Sequence, residues 1–203
     1  MKTLPKRRLF RTQPYRKPHQ DFIAAWLRSP LKVGAIIPSS RTLAKVLAAQ
    51  VDIDEPGLVI DLGAGTGVMT QALLEAGVDP VQMVMVEREQ RLHLVLQSQF
   101  PGVHAICDDA TNLHRIIEQM GHPKVKAIIS SLPMLSLPRA TKNEIQKQMI
   151  ELVGEDGVIV QFTYGRKSPL SPRVLHAYGV VGRRVKSVLT NVPPAHVWVY
   201  KKG

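Results

Sequence analysis

The stretch Val59 to Gly67, V-I-D-L-G-A-G-T-G, constrains this chain more than any other. Its apolar start reads as a buried parallel strand, and its three alternate glycines open a helical pattern over Val68 to Ala76. Glycine lets backbone turn tightly and approach a ligand with no Cβ in the way, while the first turn of the new helix offers unpaired N–H groups. The turn reads as a nucleotide-cofactor loop, with a plain strand-to-helix turn as the alternative.

Spacing separates the ligands such a loop can hold. A dinucleotide loop usually reads G-x-G-x-x-G, its last glycine set for helix packing. Here the pattern is G-x-G-x-G with Asp61 two residues ahead, which resembles motif I of the class I S-adenosylmethionine (AdoMet) methyltransferases. The resemblance implies that Gly63, Ala64, Gly65 and Gly67 wrap the amino-acid half of AdoMet and that Asp61 helps hold its cationic amine. A second apolar strand, Val81 to Val86, ends in Glu87 with Arg88 beside it. That is about 20 residues past the loop, where an acid in such folds accepts the ribose hydroxyls. A solvated strand end is the competing reading of Glu87.

The length, 203 residues, suits one α/β domain with an N-terminal extension. We divide the chain into residues 1–50, a basic arm with a helical lid or membrane-binding segment, and residues 51–203, the cofactor-binding domain. A net charge of +11 calls for an anionic partner. Lys2, Lys6, Arg7, Arg8, Arg11, Arg16 and Lys17 all precede the first acid, Asp21, so the basic arm reads as local. It lacks the apolar core of a secretory signal and reads as retained. Cys107 alone excludes an intramolecular disulfide, the histidines show no metal-ligand spacing, and no apolar run could span a bilayer. We therefore expect a cytosolic, metal-free monomer.

Phe22, Ile23, Trp26 and Leu27 form one stripe of a short helix behind the arm. The stripe is either an interfacial anchor, binding an anionic membrane surface through residues 1–28, or a cap over the cofactor site, and one helix could serve as both. Pro30 and Pro38 interrupt the next segment, and Ser39 or Ser40 caps a helix to about Gln50. The core W-L-R-S-P-L-K-V-G-A-I-I-P-S-S, within Phe22 to Ser40, resembles the N-terminal signature of the bacterial phospholipid N-methyltransferases that methylate phosphatidylethanolamine. That likeness implies that Val33 to Ser40, with Ile36, Ile37, Ser39 and Ser40, lines the site. It also implies a seven-stranded class I methyltransferase sheet in the order 3-2-1-4-5-7-6 under an N-terminal helical cap.

Further along, a helix over Glu89 to Gln99 and a strand over Val103 to Cys107 lead to Asp108-Asp109-Ala110, which resembles the adenine-contacting corner of class I methyltransferases. Asp109 matches best, with Asp108 at a glycine position, but Asp109 could equally cap a helix over Ala110 to Met120. A strand over Val125 to Ile129 delivers Ser130-Ser131-Leu132-Pro133-Met134-Leu135 to the ligand crevice. This loop resembles the S-G-L-P-L-L loop of the phospholipid enzymes, departing at Ser131 and Met134. It lacks the Asn and the aromatic of the N-P-P-Y loop of adenine N6 methyltransferases. A helix over Arg139 to Val153, a strand over Val158 to Tyr164 and a hairpin of Arg183 to Thr190 with Ala195 to Lys201 complete the pattern.

The resemblance implies AdoMet-dependent N-methylation of a phospholipid amine, phosphatidylethanolamine first, with possible succession towards phosphatidylcholine, on the inner face of the cytoplasmic membrane. Loop carbonyls of Ser130, Ser131, Leu132 and Pro133, and the hydroxyl of Tyr15 or Tyr164, are the amine partners. Trp26, Tyr15, Tyr164 and Tyr178 could face a methylated cation. Arg166, Lys167 and Arg173 could bind the lipid phosphate or be ordinary surface charge. An ornithine lipid is the alternative acceptor, an rRNA adenine dimethyltransferase the alternative enzyme, and a non-catalytic AdoMet- or membrane-binding module the alternative outside catalysis.

Overall fold

The computed structural model describes residues 38–191 and 193–203, with side chains from residue 41 onward. Tyr15, Trp26, Ile36, Ile37, the Phe22 to Leu27 stripe and the whole 1–28 segment lie outside the described residues, as do the side chains of Ser39 and Ser40.

Seven strands form one sheet in the order β3-β2-β1-β4-β5-β7-β6. They are β1 (Leu58–Leu62), β2 (Met83–Glu87), β3 (His104–Cys107), β4 (Val125–Ser130), β5 (Val158–Thr163), β6 (Val180–Val188) and β7 (Ala195–Lys202). The first five pair in parallel, while β7 runs antiparallel to both β5 and β6. All five residues of β1 and all six of β4 are buried, because helices cover both faces of a parallel sheet. The expected strand order is the observed one.

Among the described residues six α-helices supply the covers: α1 (Pro38–Ala48), α2 (Val68–Glu75), α3 (Gln90–Gln99), α4 (Leu113–Gln119), α5 (Arg139–Val153) and α6 (Pro172–Ala177). One core layer joins α1, α2 and α3 to the sheet through Leu47, Leu73, Leu96 and Val160; the other joins α4, α5 and α6 through Ile116, Met149, Leu175 and Tyr200. A fully buried Leu or Ile contributes about 1.5 to 3 kcal/mol, so these layers dominate the stability. Helix α1 belongs to the same compact unit as the sheet.

Several boundaries differ from the sequence expectation for local reasons. Helix α1 begins at Pro38, so Ser39 and Ser40 sit in its first turn and do not cap it; proline is tolerated there because its missing N–H has no partner to lose. Val81 falls in a 3-10 turn over Pro80–Gln82, whose start is fixed by the Val81 N–H donating to Asp79 Oδ1 at 3.0 Å. The helix expected over Ala110 to Met120 is a 3-10 turn, Ala110–Asn112, followed by α4. Pro172 opens α6, at a position where its missing N–H costs no helical bond. Strand β6 starts three residues before Arg183, at Val180. Among the described residues no helix is long and apolar enough to cross a membrane, and no group of three or more His, Cys, Asp or Glu side chains could hold a metal ion.

Candidate functional site

Strand β1 is central and parallel to both neighbours, so its carboxyl end opens onto the crevice where ligands of such sheets bind. The three glycines there divide the work. A Cβ on Gly63 would lie 2.8 Å from Leu132 Cδ2, and one on Gly67 would lie 2.5 Å from Phe100 Cε2. These two serve packing. A Cβ on Gly65 would meet nothing nearer than the Gly63 carbonyl at 3.9 Å, so Gly65 borders open space. Its N–H donates to Glu87 Oε2 at 2.9 Å, and Glu87 Oε1 accepts from the Glu89 N–H at 2.8 Å. The carboxylate at the end of β2 is thereby fixed against the loop, and each oxygen keeps lone-pair capacity for another donor. Ala64 is buried, and its N–H donates to the Val86 carbonyl at 3.2 Å.

Asp61 is fully buried within β1. Thr70 Oγ1 donates to its Oδ2 at 2.7 Å, whereas Oδ1 is buried with no hydrogen-bond partner. Burial pushes its carboxyl up to about 7, against the lowering effect of the Thr70 bonds. An acceptor buried without a donor costs about 1 to 3 kcal/mol, more if charged, and a cationic ligand would remove that cost. The residues present therefore fit S-adenosylmethionine: Asp61 beside an ammonium, Gly65 against the cofactor chain, and Glu87 against ribose hydroxyls.

The adenine corner is more occupied than its sequence suggests. Asp109 Oδ1 accepts from the N–H and the hydroxyl of Thr111, at 2.9 and 2.8 Å, and Oδ2 pairs with the exposed Arg88 at 3.3 Å. The capping role left open for Asp109 is thus present, on the 3-10 turn. Asp108 Oδ1 accepts from Asn112 Nδ2 and from the Asp109 N–H, and Oδ2 pairs with Arg115. The Asn112 bond is the largest of the effects that hold Asp108 below the usual carboxylate range. Ala110 is half-buried behind them.

Strand β4 delivers the reaction loop next to the glycine loop. Ser130 is fully buried, the Ser131 N–H donates to the Leu62 carbonyl at 3.0 Å, and the Leu132 side chain rests on Gly63. Four carbonyls were candidates for the amine. The Leu132 carbonyl already accepts from the Met134 N–H at 2.9 Å and from Gln161 Nε2 at 3.0 Å, and the Pro133 carbonyl accepts from the Ser136 N–H at 2.8 Å. No donor among the described residues reaches the Ser131 carbonyl.

Gln161 is the residue that sequence reasoning missed. It is buried in β5, and its Oε1 has no partner. A glutamine inside the apolar run V-I-V-Q-F-T was the available signal. Tyr164, just past β5, meets Phe162 edge to face at 5.6 Å, and burial pushes its hydroxyl up, against a bond with Asn191. The phenol therefore stays protonated near neutral pH.

The remaining candidates do not gather in one place. Arg166 and Lys167 are exposed beyond the end of β5. Arg173 lies instead in a shallow groove between α5 and α6 with Arg139, Asn143 and Lys147. Tyr178 donates to Glu151 Oε1 at 2.6 Å, two residues before β6 starts at the opposite end of the sheet, so it cannot face a methylated cation in the crevice.

No protein-family model matches the chain. An ornithine lipid N-methyltransferase of Singulisphaera acidiphila is 21% identical over 145 residues, covering 70% of this chain and 76% of that protein. Among solved structures, magnesium protoporphyrin IX methyltransferase from Synechocystis PCC 6803 with bound SAM has a TM-score of 0.65 at 12% identity, covering 95% of this chain and 100% of that one. The Burkholderia thailandensis 1,6-didemethyltoxoflavin-N1-methyltransferase, with S-adenosylhomocysteine, has a TM-score of 0.66 at 15% identity, covering 94% and 92%. The fold is that of the class I methyltransferases.

Proposed function

We propose that this class I fold transfers a methyl group from AdoMet to the amine of an aminolipid headgroup at a membrane surface. The observation that carries the reading is the reaction loop of Ser130 to Pro133, packed on the glycine loop, with a Ser131 carbonyl that no donor among the described residues reaches. An amine needs such an acceptor, whereas a base stacked for N6 methylation needs an aromatic that this loop lacks. The likeness to an ornithine lipid N-methyltransferase supports an ornithine-type amine as the acceptor, whereas phosphatidylethanolamine rests on the sequence resemblance alone.

Bound AdoMet would supply an electrophilic methyl on a sulfonium, so the protein must chiefly align a neutral amine and exclude water. Such positioning is worth roughly 7 to 11 kcal/mol in ideal cases. The Ser131 carbonyl accepts one amine N–H and turns the lone pair toward the methyl. Tyr164 can accept a second through its oxygen, and being protonated it is no base. The segment Ser130 to Pro138 contains no His or acid, so the amine's proton leaves to solvent.

The test is transfer of radiolabelled methyl from AdoMet to vesicles containing phosphatidylethanolamine or ornithine lipid, with small-subunit rRNA as a parallel substrate. Label in either lipid supports the reading and ranks the two acceptors. Label in RNA alone overturns it.

A further inference from the structure

The N-terminal arm is not the only basic region. From Gly157 to Gly203 the chain has no Asp or Glu, although this segment carries β5, α6, β6 and β7. Arg166, Lys167, Arg183, Arg184, Lys186 and Lys201 are all exposed there, and none has a salt-bridge partner among the described residues. Strand β6 is the edge of the sheet and its pairing with β7 shifts register between Arg184 and Lys186, leaving Val185 at the irregularity. Val181, Val185 and Leu189 are 49%, 44% and 73% exposed, so aliphatic side chains are interleaved with the cations.

This combination selects among occupants. Edge cations and bulges normally block strand pairing with another sheet, and two copies of this edge would repel, which removes a second copy of the chain. Single-stranded nucleic acid is held by exposed aromatic platforms. The aromatics of β7 are unsuited: Tyr200 is fully buried and Trp198 packs against the core. Cations with exposed aliphatics match an anionic headgroup layer, where aliphatic tips enter the acyl boundary and Lys and Arg stay with the phosphates; Glu155, which reaches this flank, pairs with Lys202 opposite the start of β6.

The edge is also placed for use. Val188 pairs with Ala195 one position from His196, which pairs with Thr163, so β6 ends at the same carboxyl edge of the sheet as β5. Arg166, Lys167 and Leu189 lie just beyond those two ends. We propose that strand β6, with the basic flank of the sheet behind it, docks the protein edge-on to an anionic phospholipid surface, separately from any contact made by residues 1–28. The proposal rests on the aminolipid reading for the purpose of docking, though not for its detection.

The experiment is flotation of the full chain with phosphatidylglycerol–phosphatidylcholine vesicles that contain no amine lipid, compared with R183Q/R184Q/K186Q. Each cation near an anionic surface is worth about 1 kcal/mol, a factor of about five, so the triple variant should partition roughly a hundredfold more weakly. R183K/R184K should float like the parent, and V181S/V185S should bind more weakly even in high salt. Unchanged AdoMet affinity verifies folding. A triple variant that floats as well as the parent overturns the proposal, as does a parent that binds RNA and ignores the vesicles. If the parent floats and the triple variant does not, while no aminolipid is methylated, docking stands and the aminolipid reading fails.

Discussion

Gln161 Nε2 donates to the Leu132 carbonyl at 3.0 Å, joining the middle of β5 to the middle of the reaction loop. Together with the Met134 N–H it fills that carbonyl, which leaves the adjacent Ser131 carbonyl to meet a substrate. The amide's Oε1 is buried without a partner, a cost that an apolar side chain of the same shape would remove, offsetting the loss of the two bonds from Nε2 to the Leu132 and Phe162 carbonyls. Gln161→Met should therefore melt within a few degrees of the parent and bind AdoMet with unchanged affinity. Its kcat should drop about 10- to 100-fold, since small misplacements of reacting groups cost on that scale. Single-turnover kinetics beside calorimetry would check this, and full turnover in the variant would deny Gln161 a positioning role.

Asp61 sets a pH dependence whose sign is fixed by its raised value. Burial lifts it from 3.8 to about 7, so the folded, cofactor-free chain retains a proton that the unfolded chain has released. Stability should accordingly fall as pH rises from about 4 to 7 and then level off. AdoMet binding should run the other way, because only the carboxylate attracts an ammonium. Affinity should rise about fivefold from pH 6 to 7, below the value of about 7.7 to 8.0 at which an α-amino group itself loses its proton. Calorimetry across that range would measure the slope, and Asp61→Asn should bind weakly and without it.

Glu87 accepts from two backbone N–H groups, which an amide cannot do with both ends. Glu87→Gln must aim its NH2 at one of those donors or abandon it, and it also loses an acceptor for ribose. A loss of roughly 2 kcal/mol, near thirtyfold in AdoMet affinity, is expected. Equilibrium dialysis with labelled AdoMet would read it.

The glycines should separate into two phenotypes. Gly67→Ala drives a Cβ into Phe100 and Leu96 at a φ of 80°, so it should lower the melting temperature by several degrees. Gly65→Arg meets open space and should leave a folded chain, at a cost of about 1 to 2 kcal/mol for the left-handed backbone, that no longer binds AdoMet. Thermal melts with and without AdoMet distinguish the two, and intact AdoMet binding by Gly65→Arg would contradict the loop assignment.

The fold was largely legible because motif spacing and buried apolar runs report backbone geometry directly. Gly63-Ala64-Gly65-Thr66-Gly67 announced a strand-to-helix turn, and β4 and α5 lie within a residue of their expected bounds. What stayed hidden depends on which side chains meet, across a helical turn as much as across the sheet. Nothing near Asp108 shows that Arg115 and Asn112 occupy its carboxylate, and nothing near Leu132 shows that Gln161 takes its carbonyl. Tyr178 looked suited to a cation until topology carried it to the far end of the sheet. The acid-free run after Asp156 was visible throughout, but its meaning needed β6 at an edge.

Strand β7 comes after β6 in the chain yet lies between β5 and β6. A polypeptide emerging during synthesis can therefore assemble β1 to β5, but β6 has no partner until residues 195–202 arrive. Until then β5 presents a bare hydrogen-bonding rim, with Ile159 to Thr163 unpaired on that side, to every neighbouring nascent chain. Helper proteins that shield such rims should be needed most in that interval.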